Sequence, residues 1–112
     1  SPRDEAFLGA NASLRERDYT FVDRVEAKGF VDVVHKHDPA AKVSCPSPIT
    51  IPRWSKDLAE LKLKRYRIDF VFADNVLAKD SRSGTISLSK EIDNISDHYP
   101  VIVEFNISKV HK

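Results

Sequence analysis

The spacing of apolar side chains predicts where this chain turns helical and where it runs extended. Leu14, Phe21, Val22 and Val25 recur at intervals compatible with one helical face. Ser13 as N-cap with Glu16 three residues on forms a capping box, and Gly29 supplies a stop just past the last turn. An amphipathic helix is therefore expected over residues 14–28. Before it, residues 1–11 have room for a short helical turn, with Pro2 suited to an early helical position. Residues 30–34, Phe-Val-Asp-Val-Val, are a β-branched run and predict a strand. Pro39, Pro46, Pro48 and Pro52 interrupt residues 35–54, where a long loop is expected. Ordered loops of that length in small domains are usually functional. Residues 57–64 fit either a helical turn or a loop.

The strongest strand pattern is Arg-Ile-Asp-Phe-Val-Phe-Ala at residues 67–73. Period-two alternation puts Ile68, Phe70 and Phe72 on one face and Arg67, Asp69, Val71 and Ala73 on the other. Asp69 is anomalous in such a run, because burying a carboxylate without a partner is costly. Residues 81–84 predict a turn, residues 85–88 a short strand, and residues 99–107 a second strong strand. The strands at 67–73 and 99–107 are expected to be neighbours in one sheet, which would bring Asp69 towards His98.

Composition narrows the class. The 112 residues suffice for one compact domain, and 41% hydrophobic with 31% charged residues is a globular mixture. No apolar run approaches a membrane span, and no signal-peptide pattern opens the chain. Ser1 to Glu5 lacks an initiator methionine, which fits either an excised domain or half-domain or a processed mature protein. A formal net charge of +1 gives no global attraction to nucleic acid or anionic membrane and leaves only local patches to consider. The single Cys45 excludes an intramolecular disulfide and suits a reducing compartment.

Candidate chemistry concentrates before the last strand, in Ser96-Asp97-His98-Tyr99-Pro100-Val101. Adjacent residues of a regular strand point to opposite faces, so Asp97 and His98 serve one site only at an irregular strand entrance. There Asp97 is suited to a hard divalent cation, and His98 to a phosphate oxygen or a water proton. Asp69 is the carboxylate that would orient the imidazole and thereby account for its own position on an apolar strand. Weaker candidates lie elsewhere. His35 and His37 share a side if the segment is extended, a metal-ligand pair to set against a solvated polar loop. Lys62, Lys64, Arg65 and Arg67 surround Tyr66, a basic cluster that either meets phosphate or is simply solvated. Trp54 is placed either to stack on a substrate group or to cap the core.

The order Arg67-Ile68-Asp69 followed by Ser96-Asp97-His98 resembles the two C-terminal signatures of the endonuclease/exonuclease/phosphatase superfamily, the deoxyribonuclease I-like metal-dependent phosphoesterases. Weaker similarities extend it over residues 29–105: Gly29 to Asp32 matches a strand ahead of the substrate-side loop, and Thr50 with Trp54 a threonine followed by an aromatic. The resemblance implies an α/β fold, the C-terminal half of a four-layer sandwich of two packed, mostly antiparallel sheets flanked by helices. Residues 1–112 would be the C-terminal portion of one such domain. The family's N-terminal half supplies an Asn and a metal-binding Glu and its middle an Asp-x-Asn motif, and no Asp-x-Asn occurs in this chain. The N-terminal half of the same domain is therefore an implied partner. His98 and Asp69 would be the catalytic pair, Asp97 a ligand of Mg²⁺ or Mn²⁺, and Arg67 and Trp54 substrate contacts. The substrate would be a phosphodiester or phosphomonoester, nucleic acid first and a phospholipid such as sphingomyelin second; a non-catalytic binding module is the alternative. Asn11, Asn94 and Asn106 lie in Asn-x-Ser sequons, and a glycan on Asn94 would crowd the site, so either an intracellular location or unused sequons are expected, with the compartment itself left open.

Overall fold

The structure, a computed structural model, describes residues 19–107. The predicted turn within 1–11, the Ser13 capping box and the Asn11 sequon lie outside them. Helix α1 is Thr20–Ala27, ended at Lys28 as Gly29 takes a positive φ of 93°. Its Val22 is fully buried and, with Tyr19, packs against Tyr66, Phe70 and Phe72. Phe70 stacks on Phe72 at 5.5 Å between centroids and meets Phe21 edge-on at 5.6 Å.

Strand β1 is only Phe30–Asp32, and Val33 and Val34 open helix α2, Val33–His37. The strand expected over residues 30–34 is thus cut short. The Asp32 carboxylate accepts from the His35 backbone N–H at 3.3 Å and caps the helix. Both valines are completely buried, so tertiary packing overrides their β preference. A 3₁₀ turn follows at Pro48–Thr50, inside the expected loop. Residues 57–64 settle as helix α3, Leu58–Lys64, with Asp57 accepting from Glu60 N–H at 2.9 Å and Lys64 paired to Glu60 at 2.8 Å.

Strand β2 is Phe72–Asp74, shorter than the expected 67–73. It pairs antiparallel with β1, Val31 opposite Ala73. The residues before it are held by side chains instead of a neighbouring strand: the Ser44 hydroxyl accepts from the N–H groups of Ile68 at 2.9 Å and Asp69 at 3.2 Å. Helix α4 is Asn75–Lys79, capped by Asp74. The segment 81–84 is not a turn but the start of β3, Ser81–Ile86, irregular between Ser81 and Ser83. A second 3₁₀ turn, Lys90–Asn94, leads towards β4, Val101–Phe105. Strands β3 and β4 pair antiparallel, with Gly84 opposite Val103.

The fold is mixed α/β with two small antiparallel two-stranded sheets and helices. Segments 67–73 and 99–107 therefore do not share a sheet, contrary to expectation. Helix α2 joins the two ladders through adjacent valines. Val33 packs with Ala73 and Ala78, and Val34 with Ile86 and Tyr99. Strand β3 crosses so close to this helix that a Cβ on Gly84 would lie 2.9 Å from the Val33 carbonyl oxygen. No helix among the described residues is long and apolar enough to cross a membrane.

One buried ion pair ties the sheet of β1 and β2 to the segment preceding β2. Arg67 Nη1 and Nη2 donate to Asp32 Oδ2 and Oδ1, each at 2.6 Å, with both side chains 1% exposed. The guanidinium also lies 4.7 Å from the Phe70 ring centroid, and the Arg67 carbonyl accepts from Tyr19 O–H at 2.9 Å. Removing one partner strands a buried charge, so Arg67→Ala is expected to cost about 3–5 kcal/mol by urea unfolding. A loss under about 1 kcal/mol would show the pair to be dispensable. Gly84→Ala forces backbone atoms apart and is expected to cost about 1–3 kcal/mol on the same assay.

Candidate active site

Asp69 and Asp97-His98 meet because one irregular segment is stitched to both. Ser44 N–H donates to the Tyr66 carbonyl at 2.9 Å, and the Ser44 carbonyl accepts from Tyr99 N–H at 2.7 Å. Its hydroxyl takes the N–H groups of Ile68 and Asp69. Ser47 N–H donates to the Asp97 carbonyl at 2.9 Å, and its hydroxyl to the Ser96 carbonyl. Both serines are fully buried. Buried backbone polar groups must be paired, so these bonds tie both residues 66–69 and residues 96–99 to residues 44–47.

His98 Nδ1 stands 2.7 Å from Asp69 Oδ2. A carboxylate only accepts, so this contact places a proton on Nδ1, and in the neutral imidazole Nε2 then carries the lone pair. Nε2 is 4.0 Å from Asp97 Oδ2. The three side chains remain accessible, at 45%, 35% and 43% for His98, Asp69 and Asp97. Asp97 opens into a groove of about 320 Å³ lined also by Ile49, Thr50, Arg53, Trp54 and Ile95. Trp54 is 54% exposed there and presents its ring to solvent, whereas Thr50 is buried and donates its hydroxyl to the Ser47 carbonyl at 2.8 Å. As a hard oxygen donor at a groove mouth, Asp97 fits one arm of a Mg²⁺ site; this ion commonly uses one or two carboxylates and completes its shell with water or phosphate oxygens.

Other expected site residues are placed differently. Arg67, expected as a substrate contact, is buried against Asp32, and its guanidinium serves the fold. The basic cluster is not an open patch either. Arg65 donates to the Tyr99 hydroxyl at 3.1 Å, and Lys64 holds Glu60 and the Trp54 carbonyl, each at 2.8 Å. His35 and His37 lie on helix α2, where residues two apart do not face one another, and His37 Nε2 meets Ser81 Oγ at 2.8 Å. That separates the proposed metal pair. Cys45, read from the sequence only as a thiol without a disulfide partner, is buried beside the site. Its sulfur, an Asp69 oxygen and a His98 nitrogen lie within 4.8 Å of one another. No local spacing signals this, because the three positions are far apart along the chain.

Comparison of the chain with protein-family models, curated proteins and solved structures returns no match.

Tyr99, next to His98, anchors the segment from beneath. Its ring is buried, and its hydroxyl donates to Asp93 Oδ1 at 3.0 Å. Burial first, then the bond to Asp93, raises its pKa above the ordinary phenol value. A raised folded-state value means that stability is full below pH about 10 and is lost as pH rises through the folded pKa. Chemical unfolding across this range is expected to show a decline that Tyr99→Phe flattens. Parallel declines in the two proteins would remove Tyr99 as the cause.

Proposed function

We propose that this chain carries the histidine side of a Mg²⁺-dependent phosphoesterase site, with Mn²⁺ as a substitute. The observation that supports this most is the Asp69–His98 contact at 2.7 Å, with the Asp97 carboxylate 4.0 Å from the other imidazole nitrogen. An oriented imidazole beside a hard-cation carboxylate suits hydrolysis of a phosphoester by water. Asp69 holds the ring in one tautomer and orientation. His98 presents Nε2 to the phosphoryl group or its attacking water and exchanges a proton there. Asp97 would hold the cation, which would supply Lewis-acid stabilisation of charge on the phosphate oxygens. The remaining oxygen ligands come, in this reading, from the N-terminal half of the same domain.

Of the two substrate classes, the surface favours a phospholipid over nucleic acid. Three of the four cations around Tyr66 are engaged in internal contacts. Beside Asp97, by contrast, Ile49, Trp54 and Ile95 are 44%, 54% and 71% exposed, with Arg53 lining the same groove. Apolar side chains with one cation suit an amphiphile whose phosphate enters at Asp97 and His98. A fold that only binds phosphate esters remains the non-catalytic counterpart, and turnover separates the two.

The test is steady-state hydrolysis by the complete domain, with Mg²⁺ and either vesicles of a choline phospholipid or duplex DNA. His98→Ala is expected to lower kcat by about 10²–10⁴-fold with little change in KM. Asp69→Asn is expected to produce a smaller parallel loss, and Trp54→Ala a rise in KM confined to the lipid. Near-parental turnover of His98→Ala, corrected for folded fraction by thermal unfolding, would overturn the catalytic assignment.

A further inference from the structure

Beside the oxygen donor of Asp97 lies a second donor set of different character. Cys45, Asp69 and His98 each offer a ligand atom, and these atoms lie within 4.8 Å of one another. We propose that they form a zinc site distinct from the hard-cation position at Asp97. The argument is one of ligand softness. Thiolate and imidazole select Zn²⁺, whereas Mg²⁺ takes oxygen ligands almost exclusively.

The geometry suits this ion. In tetrahedral sites Zn–S is about 2.3 Å and Zn–N and Zn–O about 2.0–2.2 Å, which sets neighbouring donors roughly 3–4 Å apart. The donors here need only small movements to reach that spacing. Cys45 is immobilised, since its backbone pairs with Tyr66 on both sides, N–H to carbonyl at 3.2 Å and carbonyl to N–H at 3.0 Å. Asp69 is fixed through its N–H on Ser44, while the His98 ring, 45% exposed, has room to adjust. Three protein ligands with an open side leave the fourth position to water.

Binding breaks the Cys45 S–H bond, forms Zn–S and releases that proton to solvent, while the His98 Nδ1 proton is exchanged through solvent to Nε2 so that Nδ1 ligates, with no change in oxidation state. The thiolate and the Asp69 carboxylate together neutralise the dication, and His98 contributes a nitrogen lone pair. One consequence rests on the phosphoesterase reading: zinc here takes both members of the catalytic pair, so it acts as an inhibitor. The site itself stands without that reading.

The test uses the reduced chain alone and reads no activity. It is titrated with Zn²⁺ against a chromophoric chelator, and with Co²⁺ by absorbance. One equivalent is expected to be taken from the chelator, and Co²⁺ is expected to give a thiolate-to-metal charge-transfer band in the near ultraviolet. Cys45→Ser should abolish the band, and His98→Ala and Asp69→Ala should each weaken zinc binding by more than about tenfold. His98 is exposed, so its variant decides the matter even if Cys45→Ser, at a buried position, fails to fold. His37→Ala should change nothing. Absence of uptake, uptake that survives His98→Ala, or uptake lost in His37→Ala would each overturn the assignment.

Discussion

The described structure depends on the ion pair between Asp32 and Arg67, because it holds together segments that backbone ladders do not. Strand β1 has three residues and pairs with an equally short β2, so the ladder alone specifies its register weakly. The planar guanidinium meets the Asp32 carboxylate through two parallel bonds of 2.6 Å, and this fork geometry fixes direction as well as distance. Charges taken wholly out of water stabilise little in net terms, but they penalise every arrangement that separates them. Asp32 also caps α2, so the same carboxylate ends the strand, starts the helix and orients the segment leading to Asp69.

From that anchor the site follows through hydrogen bonds rather than through sheet pairing. Ser44 and Ser47 occupy the space between the residues before β2 and the entrance to β4, and they satisfy the buried backbone groups of both. Asp69 and His98 are thereby brought into contact although β2 and β4 belong to different ladders. Irregular backbone at a strand entrance also solves the geometric problem of adjacent residues serving one site. The turn at residues 96–98, closed by His98 N–H on the Ser96 hydroxyl at 3.2 Å, frees Asp97 and His98 from strict alternation.

The site is layered by chemistry. Asp97 offers hard oxygen at the groove, Asp69 and His98 form a hydrogen-bonded pair behind it, and Cys45 adds soft sulfur at the buried end. Metals sort themselves over such a gradient by ligand type. The exposed Ile49, Trp54 and Ile95 border its outer edge.

Much of this was legible in the residues themselves. The helix before Gly29 and the convergence of Asp69 on His98 follow from periodicity, from a glycine free to take positive φ, and from a carboxylate on an apolar run that needs a partner. These are local signals, or demands that one residue places on the rest. Tertiary structure alone decided the others. Val33 and Val34 became helical because both sheets bury them at once, a packing effect that β propensity does not contain. Arg67 turned inward because Asp32, far away in the chain, offered a matched fork. Ile68 and Asp69 stayed out of a ladder because the Ser44 hydroxyl took their N–H groups. Cys45 joined the site because its backbone bridges Tyr66. Each outcome rests on which distant group satisfies a buried charge, N–H or carbonyl, and that choice is made only when the chain closes on itself.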